Sequence, residues 1–381
     1  MSLSIKKRDI GGEKMKIVVI GAGVVGACAA YYLSEKENHE VILIDEAFDG
    51  KATLAGAGII CPWISRVDDP DWFAISSRGA QYYPELIQSL EELGETNTGY
   101  GQTGALATST DINVIHELKE RVEKKKEEFP IIGEIKVLEA PQAKTYFPPL
   151  SEDLHALYIS GSARLDGRLL AESLVRAVKK NKGRVIEGKA ALKKEGSKVV
   201  VSIKEEDIKA DQVIVAAGSW TNELLEPAGV SIHQEPQRGQ IVHLSVDEDT
   251  SKWPVVLPQE SSHYIVSFDD NRIAFGATRE DGSGFDYRIT AGGVQEVLNE
   301  GLHVAPGLAN NNLKEIRIGF RPMSPDIKPL LGKVPELDNV IIATGLGASG
   351  LTMGPYVGSL AAKIALGEEI EVDLKAFNPM R

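Results

Sequence analysis

The stretch KIVVIGAGVVGACAAYYLS at residues 16–34, with VILID at 41–45, decides the fold. Lys16–Ile20 is a short run of β-branched residues, the composition of a strand buried on both faces. It enters Gly21-Ala22-Gly23-Val24-Val25-Gly26, and Ala27–Ser34 then reads as a helix. Val41–Ile44 is a second buried strand ending at Asp45. The helical crossover implies that the two strands pair in parallel. The hexad satisfies GxGxxG with a strand before it and a helix after it, the context a dinucleotide-binding turn requires. Gly21 allows the tight turn, Gly23 lets backbone approach a pyrophosphate, and Gly26 lets the helix pack closely on the strand. The helix start offers free N–H groups and partial positive charge to phosphates. Asp45 lies 19 residues after Gly26, where a carboxylate bonds ribose hydroxyls; Glu46 reaches that place only after a register shift. A glycine-rich turn without a ligand is the bland alternative, and strand, helix and acid together outweigh it.

Similar signals recur along the chain. Asp211–Gly218 (DQVIVAAG) and Asn339–Thr344 are further buried strands running into glycine turns, the second into Gly345-Leu346-Gly347-Ala348-Ser349-Gly350. Helical spacing predicts helices over Ile75–Leu93, His116–Glu128, Leu165–Lys180, Ala291–His303 and Leu351–Leu366. The charge run of His116–Glu128 reads as a solvated face. Residues 46–66 lack periodicity and read as loop backbone lying close to a ligand. Residues 236–290 alternate in the β manner. The expected fold is therefore α/β: a Rossmann-like nucleotide domain in three segments, 15–90, 155–235 and 315–381, with a mainly antiparallel α+β domain inserted as 91–154 and 236–314. Residues 1–14 are polar and read as a flexible leader rather than a signal peptide, with Met15 as the natural start.

The chain has 381 residues and a net charge of −13, which argues against a nucleic-acid partner. Cys28 and Cys61 are the only cysteines, too few for a disulfide framework or a thiolate metal site. The composition fits a reducing compartment such as the cytoplasm. No apolar run approaches the ~20 residues of a membrane span. The histidines show no metal-ligand spacing, no metal is expected, and neither GxSxG nor a P-loop is present.

Asp45 disfavours NADP but not NAD. The loop KATLAGAG (51–58) lets small residues and the Thr53 hydroxyl lie against an extended ligand, and Val213–Gly218 can close over its nucleotide half. The helix after Gly350 turns its positive end toward a ring that gains negative charge on reduction. With these pieces, the chain resembles the FAD-dependent D-amino acid oxidase family, its glycine oxidase and D-amino acid dehydrogenase branches in particular. The likeness extends from Met15 to Leu366 and is carried by GAGVVGACAAYYL (21–33), ILID (42–45), ATLAGAG (52–58), VIVAAGSWT (213–221), QRGQIVHL (237–244), HYIV (263–266), FGATRE (275–280), GFRPMSPDIKPLLG (319–332) and ATGLGASGLTMGP (343–355).

That resemblance implies oxidation of the Cα–N bond of a small amino acid, with hydride passing to flavin N5. The imine then hydrolyses to an oxo acid, and O2 or another acceptor takes the electrons. It places Gly21, Gly23, Gly26 and Asp45 at the FAD pyrophosphate and ribose, Thr53 on the flavin side, and Gly218 near the adenosine half. Gly347, Ser349, Gly350, Leu351 and Thr352 match the turn whose amides approach the flavin pyrimidine. Arg321 matches the arginine that holds the substrate carboxylate, a planar anion suited to a guanidinium fork. Tyr264 matches the tyrosine lining the substrate pocket. The structural alternatives are a salt bridge from Arg321 to Asp326 or another acid, and a core aromatic at Tyr264.

Two departures from the family pattern stand out. Gly347-Ala348-Ser349-Gly350 replaces the large polar stretch of glycine oxidase and is closer to the dehydrogenase branch, which leaves the pocket more open and glycine in doubt. Gly319 stands where the sarcosine oxidase branch carries its flavin-tethering cysteine, so FAD is expected to be non-covalent. Cys61 reads as a small buried filler. Glycine, a D-amino acid or an N-methylglycine all fit as substrates, and a homo-oligomer is left open. Competing readings are a dehydrogenase peripheral to the membrane that uses an acceptor other than O2, an NAD enzyme, a tRNA-modifying flavoprotein, and an electron-passing flavoprotein subunit.

Overall fold

A computed structural model describes residues 14–381, so residues 1–13 of the expected leader lie outside the described residues. Lys16–Ile20 sits inside a six-stranded sheet, paired in parallel with Glu40–Asp45 on one side and Gln212–Val215 on the other. Arg184–Glu187 extends one edge, and the hairpin of Leu330–Val334 with Leu337–Thr344 forms the other. The uninterrupted apolar run has the reason expected. Ile17 and Val19 enter the core that holds the helices, whereas Val18 and Ile20 enter a second core with Val199 and Leu225 on the opposite face.

An eight-stranded mixed sheet forms the other body of the molecule. Its long strand Glu235–Ser245 runs antiparallel to Asn312–Met323, with Gln237 opposite Arg321 and Gly239 opposite Gly319. Tyr264–Ser267 pairs with Arg272–Gly276, and Val255–Pro258 lies parallel to Ala105–Ser109. His155–Ile159 and Asn312–Met323 both belong to this sheet.

The expected helices are present with shifted ends. The first long one spans Pro70–Glu92, because Asp69 caps the Trp72 amide at 2.8 Å and Pro70 occupies the first turn. The next spans Ile112–Lys126, started by Asp111, which accepts from the Asn113 amide. That helix is not solvated throughout: Lys125 donates to the Trp63 carbonyl and Arg121 to that of Ile64. Residues 46–66, expected as loop, contain a short helix Ala52–Ala55 and a strand Ile59–Ile60 paired with Ala163–Arg164. Four residues are too few to show a helical period. Their small side chains are explained by packing: a Cβ on Gly319 would stand 2.7 Å from that of Ala55.

His243 is 2% exposed behind this short helix, with Arg272 Nη1 at 3.1 Å from its Nδ1. Burial, then the charges of Arg317 and Arg272, lower its pKa from 6.5 to about 2. The unfolded chain takes up a proton near the ordinary value; the folded chain does not. Stability conferred by the neutral ring is therefore complete above the ordinary value and is lost as pH falls below it, at about 1.4 kcal/mol per unit. Urea unfolding is expected to show a loss of about 1.3 kcal/mol from this group between pH 7 and pH 5.5, and His243→Gln to remove that loss.

Candidate active site

Two helices converge on one cavity. Val24–Ser34 starts at Gly23 and Gly350–Leu366 starts at Ser349, and neither is capped by its own N-cap side chain. They run side by side in the same direction, since Gly354 packs on Val24 and Gly358 on Val25 and Cys28. Their positive ends therefore face the same space, where the partial charges add. Thr53 Oγ1 accepts the Val24 amide at 3.0 Å, so a residue of the short helix supplies the cap that Gly23 lacks. A Cβ on Gly23 would meet only that hydroxyl, at 3.2 Å, which leaves a cradle over the helix start.

The cavity has a volume of about 1400 Å³ and runs between the two sheets. Gly21, Gly23, Asp45, Thr53, Gly218, Gly347, Ser349, Gly350, Leu351 and Thr352 all line it. Gly26 stands behind it as the packing glycine, with Ala216 Cβ 3.0 Å from where its own Cβ would be. Gly21 has φ +101, Gly218 +55 and Gly347 +53, conformations that favour glycine. The Gly218 carbonyl is fixed by the Thr221 and Thr344 hydroxyls and by Gln234.

Some side chains face elsewhere than their sequence position suggests. Asp45 accepts the Ala22 amide at 2.9 Å and pairs with Lys51 at 2.5 Å, so it also braces the glycine turn. Thr352 turns its hydroxyl to the Ile59 carbonyl, leaving its backbone at the cavity. Cys61 lines the cavity, but its sulfur accepts from Ser162, and burial pushes its thiol up to about 11.

At the other end stand Arg321 and Tyr264. Arg321 Nη1 donates to Gln237 Oε1 and to the Thr278 carbonyl, each at 3.0 Å. Gly239 makes room, since a Cβ there would lie 2.6 Å from Nη2. No carboxylate pairs with Arg321 among the described residues. The acid weighed as its partner, Asp326, binds Arg381 instead at 2.7 Å. Burial lowers the Arg321 pKa, the Tyr264 hydroxyl beside it acts in the opposite sense, and the charge of Arg279 adds to the lowering. Burial raises the Tyr264 pKa, and Arg321 offsets part of that. A half-buried guanidinium with donors left over and no carboxylate partner among the described residues is a site for an anion.

Sequence reasoning missed the bracing of Arg321 by Gln237 and Thr278. The register of two antiparallel strands creates it, and no local spacing announces it. It also missed Arg279, whose signal was its place in the FGATRE segment.

A twinned helix start with a glycine cradle beside an anion pocket defines an oxidoreductase that binds an extended dinucleotide. Residues 16–364 match the FAD dependent oxidoreductase (DAO) family, and the chain belongs to it. Its cofactor is FAD and it acts on carbon–nitrogen bonds. An uncharacterised oxidoreductase of Bacillus subtilis (strain 168), YurR, is 44% identical over 95% of this chain and 98% of its own length. The crystal structure of iminodiacetate oxidase from Chelativorans sp. BNC1 is also 44% identical, with a TM-score of 0.92 over 95% of this chain and 98% of that one. Glycine oxidase from Geobacillus kaustophilus is 25% identical, with a TM-score of 0.84 over 97% and 99%. Among the described residues, no helix is long and apolar enough to cross a membrane, and no three His, Cys, Asp or Glu side chains gather as a metal site.

Proposed function

We propose that this enzyme oxidises the Cα–N bond of a small amino acid or N-substituted glycine held by its carboxylate on Arg321. The observation that carries the reading is the half-buried Arg321 guanidinium, without a carboxylate partner among the described residues, in the same cavity as the two helix starts. Gly21 and Gly23 would hold the pyrophosphate, with Gly26 packing the helix start behind them, Asp45 and Gly218 would hold the adenosine half, and Thr53 with residues 347–352 the flavin half. FAD held there would supply the oxidant for loss of two electrons and the Cα hydrogen from substrate, with O2 or another acceptor receiving the electrons in the end. Arg321 fixes the carboxylate in one plane, and Tyr264 closes the pocket beside it. Water then splits the substrate imine into an oxo acid and ammonia or an amine.

FAD is bound without a covalent tether: Gly319 stands before Arg321, and the Cys61 thiol is kept protonated. The nucleotide domain comprises the strands of the six-stranded sheet and the substrate domain those of the eight-stranded one. Both cysteines are free and buried, in keeping with a reducing, cytoplasmic setting.

The test is a substrate panel of glycine, N-methylglycine, D-alanine and iminodiacetate on the purified protein. Peroxide is read under air, and dye reduction is read with an artificial acceptor. We expect a yellow protein active on at least one member. A flavin-loaded protein inactive in both formats sinks the reading; activity with the dye alone identifies a dehydrogenase.

A further inference from the structure

We propose that Tyr83 is a positioning residue for the flavin: it orients the Leu351–Thr352 peptide unit, whose N–H opens on the cavity, and so sets the reduction potential of the bound ring. This role rests on the reading above that residues 347–352 hold the flavin half, and it adds what keeps those residues in place.

Pro355 creates the need. It stands inside the helix Gly350–Leu366 and has no N–H to donate to the carbonyl four residues back, that of Leu351. Its ring also crowds that carbonyl away from the helix axis. Tyr83, from the helix Pro70–Glu92, supplies the missing donor: its hydroxyl donates to the Leu351 carbonyl in a buried bond. The Tyr83 side chain is fully buried and its ring stacks on Tyr100, with centroids 5.6 Å apart. Burial raises its pKa well above the ordinary value, so the donor keeps its proton. Gly79 lets the two helices approach closely enough, since a Cβ there would stand 2.6 Å from the Thr352 carbonyl oxygen.

A trans peptide is planar, so fixing the Leu351 carbonyl also fixes the Thr352 N–H, which points the opposite way, toward the helix start. That amide belongs to the first turn, where helix geometry provides no acceptor, and the Ser349 side chain does not cap it. The Thr352 hydroxyl, donating to the Ile59 carbonyl at 2.8 Å, holds the same residue from another side. Leu351 and Thr352 line the cavity and Tyr83 does not, so Tyr83 acts only through them. An oriented N–H at a positive helix end favours a ring that gains negative charge on reduction.

The test is the midpoint potential of the bound flavin, measured by dye equilibration on the FAD-loaded protein. Wild type is compared with Tyr83→Phe, with the double variant Tyr83→Phe/Pro355→Ala, and with Tyr82→Phe. Tyr83→Phe keeps the ring stack and loses the donor. Its potential is expected to fall by about 30 mV, a tenfold loss of preference for the reduced over the oxidised flavin. Pro355→Ala restores an N–H four residues after Leu351, so the double variant should return to the wild-type potential. Tyr82→Phe removes a hydroxyl bonded to Cys28 from the adjacent position and should leave the potential unmoved. A Tyr83→Phe protein that melts lower but keeps the wild-type potential overturns the proposal. So does an equal fall in Tyr82→Phe, or a double variant that stays low. Should Tyr83→Phe fail to fold, the double variant decides alone: the wild-type potential supports the role and a lowered one overturns it. If wild type oxidises no amine yet the potential falls in Tyr83→Phe and recovers in the double variant, the substrate reading fails and the positioning role stands.

Discussion

Arg321→Met is expected to lower kcat/KM for any amino-acid substrate about a thousandfold, from the ~4 kcal/mol that truncating one side of a buried charge-assisted pair costs. Both parameters should move. KM rises because the fork of donors for the carboxylate is gone. kcat falls because a substrate free to turn seldom presents its Cα hydrogen correctly. Folding should survive, because no carboxylate among the described residues is left unpaired and only the bonds to Gln237 and the Thr278 carbonyl are lost, a cost of about 1–3 kcal/mol. A modestly lowered thermal midpoint with full flavin content would separate binding from collapse. An unchanged KM in a flavin-loaded variant would mean that the carboxylate lies elsewhere.

The same arginine shows what the sequence conveyed and what it withheld. Its position in GFRPMSPD, the glycine hexad and Asp45 are local patterns, each belonging to one contiguous segment, and all of them face the cavity or support its wall. The buried strands were legible because burial on both faces leaves an uninterrupted apolar run, as in Ile17–Ile20. What stayed hidden depends on distant pairings. The Asp326 bridge weighed for Arg321 forms with Arg381 at the far end of the chain. The Thr53 hydroxyl caps a helix that starts 29 residues earlier. Lys51 takes one oxygen of Asp45 only because Ala52–Ala55 coils into a helical turn that no period could announce. Helix starts were missed for a different reason: Asp69-Pro70 and Asp111 are capping signals that lie outside the apolar stripe used to find the helices.

The second large effect concerns Gly26, which touches no ligand. A Cβ at this position would overlap the Gly21 carbonyl oxygen and stand 3.0 Å from Ala216 Cβ. Both are anchored, since the Gly21 amide donates to the Ile44 carbonyl at 2.8 Å and the Ala216 amide to that of Ile20 at 2.9 Å. The glycine turn therefore cannot yield without breaking the sheet end, and the helix Val24–Ser34 must move outward instead. Its neighbour resists, because Gly354 and Gly358 lock the helix Gly350–Leu366 against Val24 and Val25. Gly26→Ala should cost roughly 3 kcal/mol, the upper part of the overpacking range, and loosen FAD by about a hundredfold. The readouts are a protein that loses its yellow colour on gel filtration and a lowered melting temperature only partly restored by added FAD. Gly292→Ala supplies the control: it lies in the helix Ala291–Val304, and a Cβ there meets nothing within 4 Å. That variant is expected to keep its flavin and gain up to about 1 kcal/mol. If Gly26→Ala holds FAD as tightly as Gly292→Ala does, close packing of this helix is not what sets the pyrophosphate site.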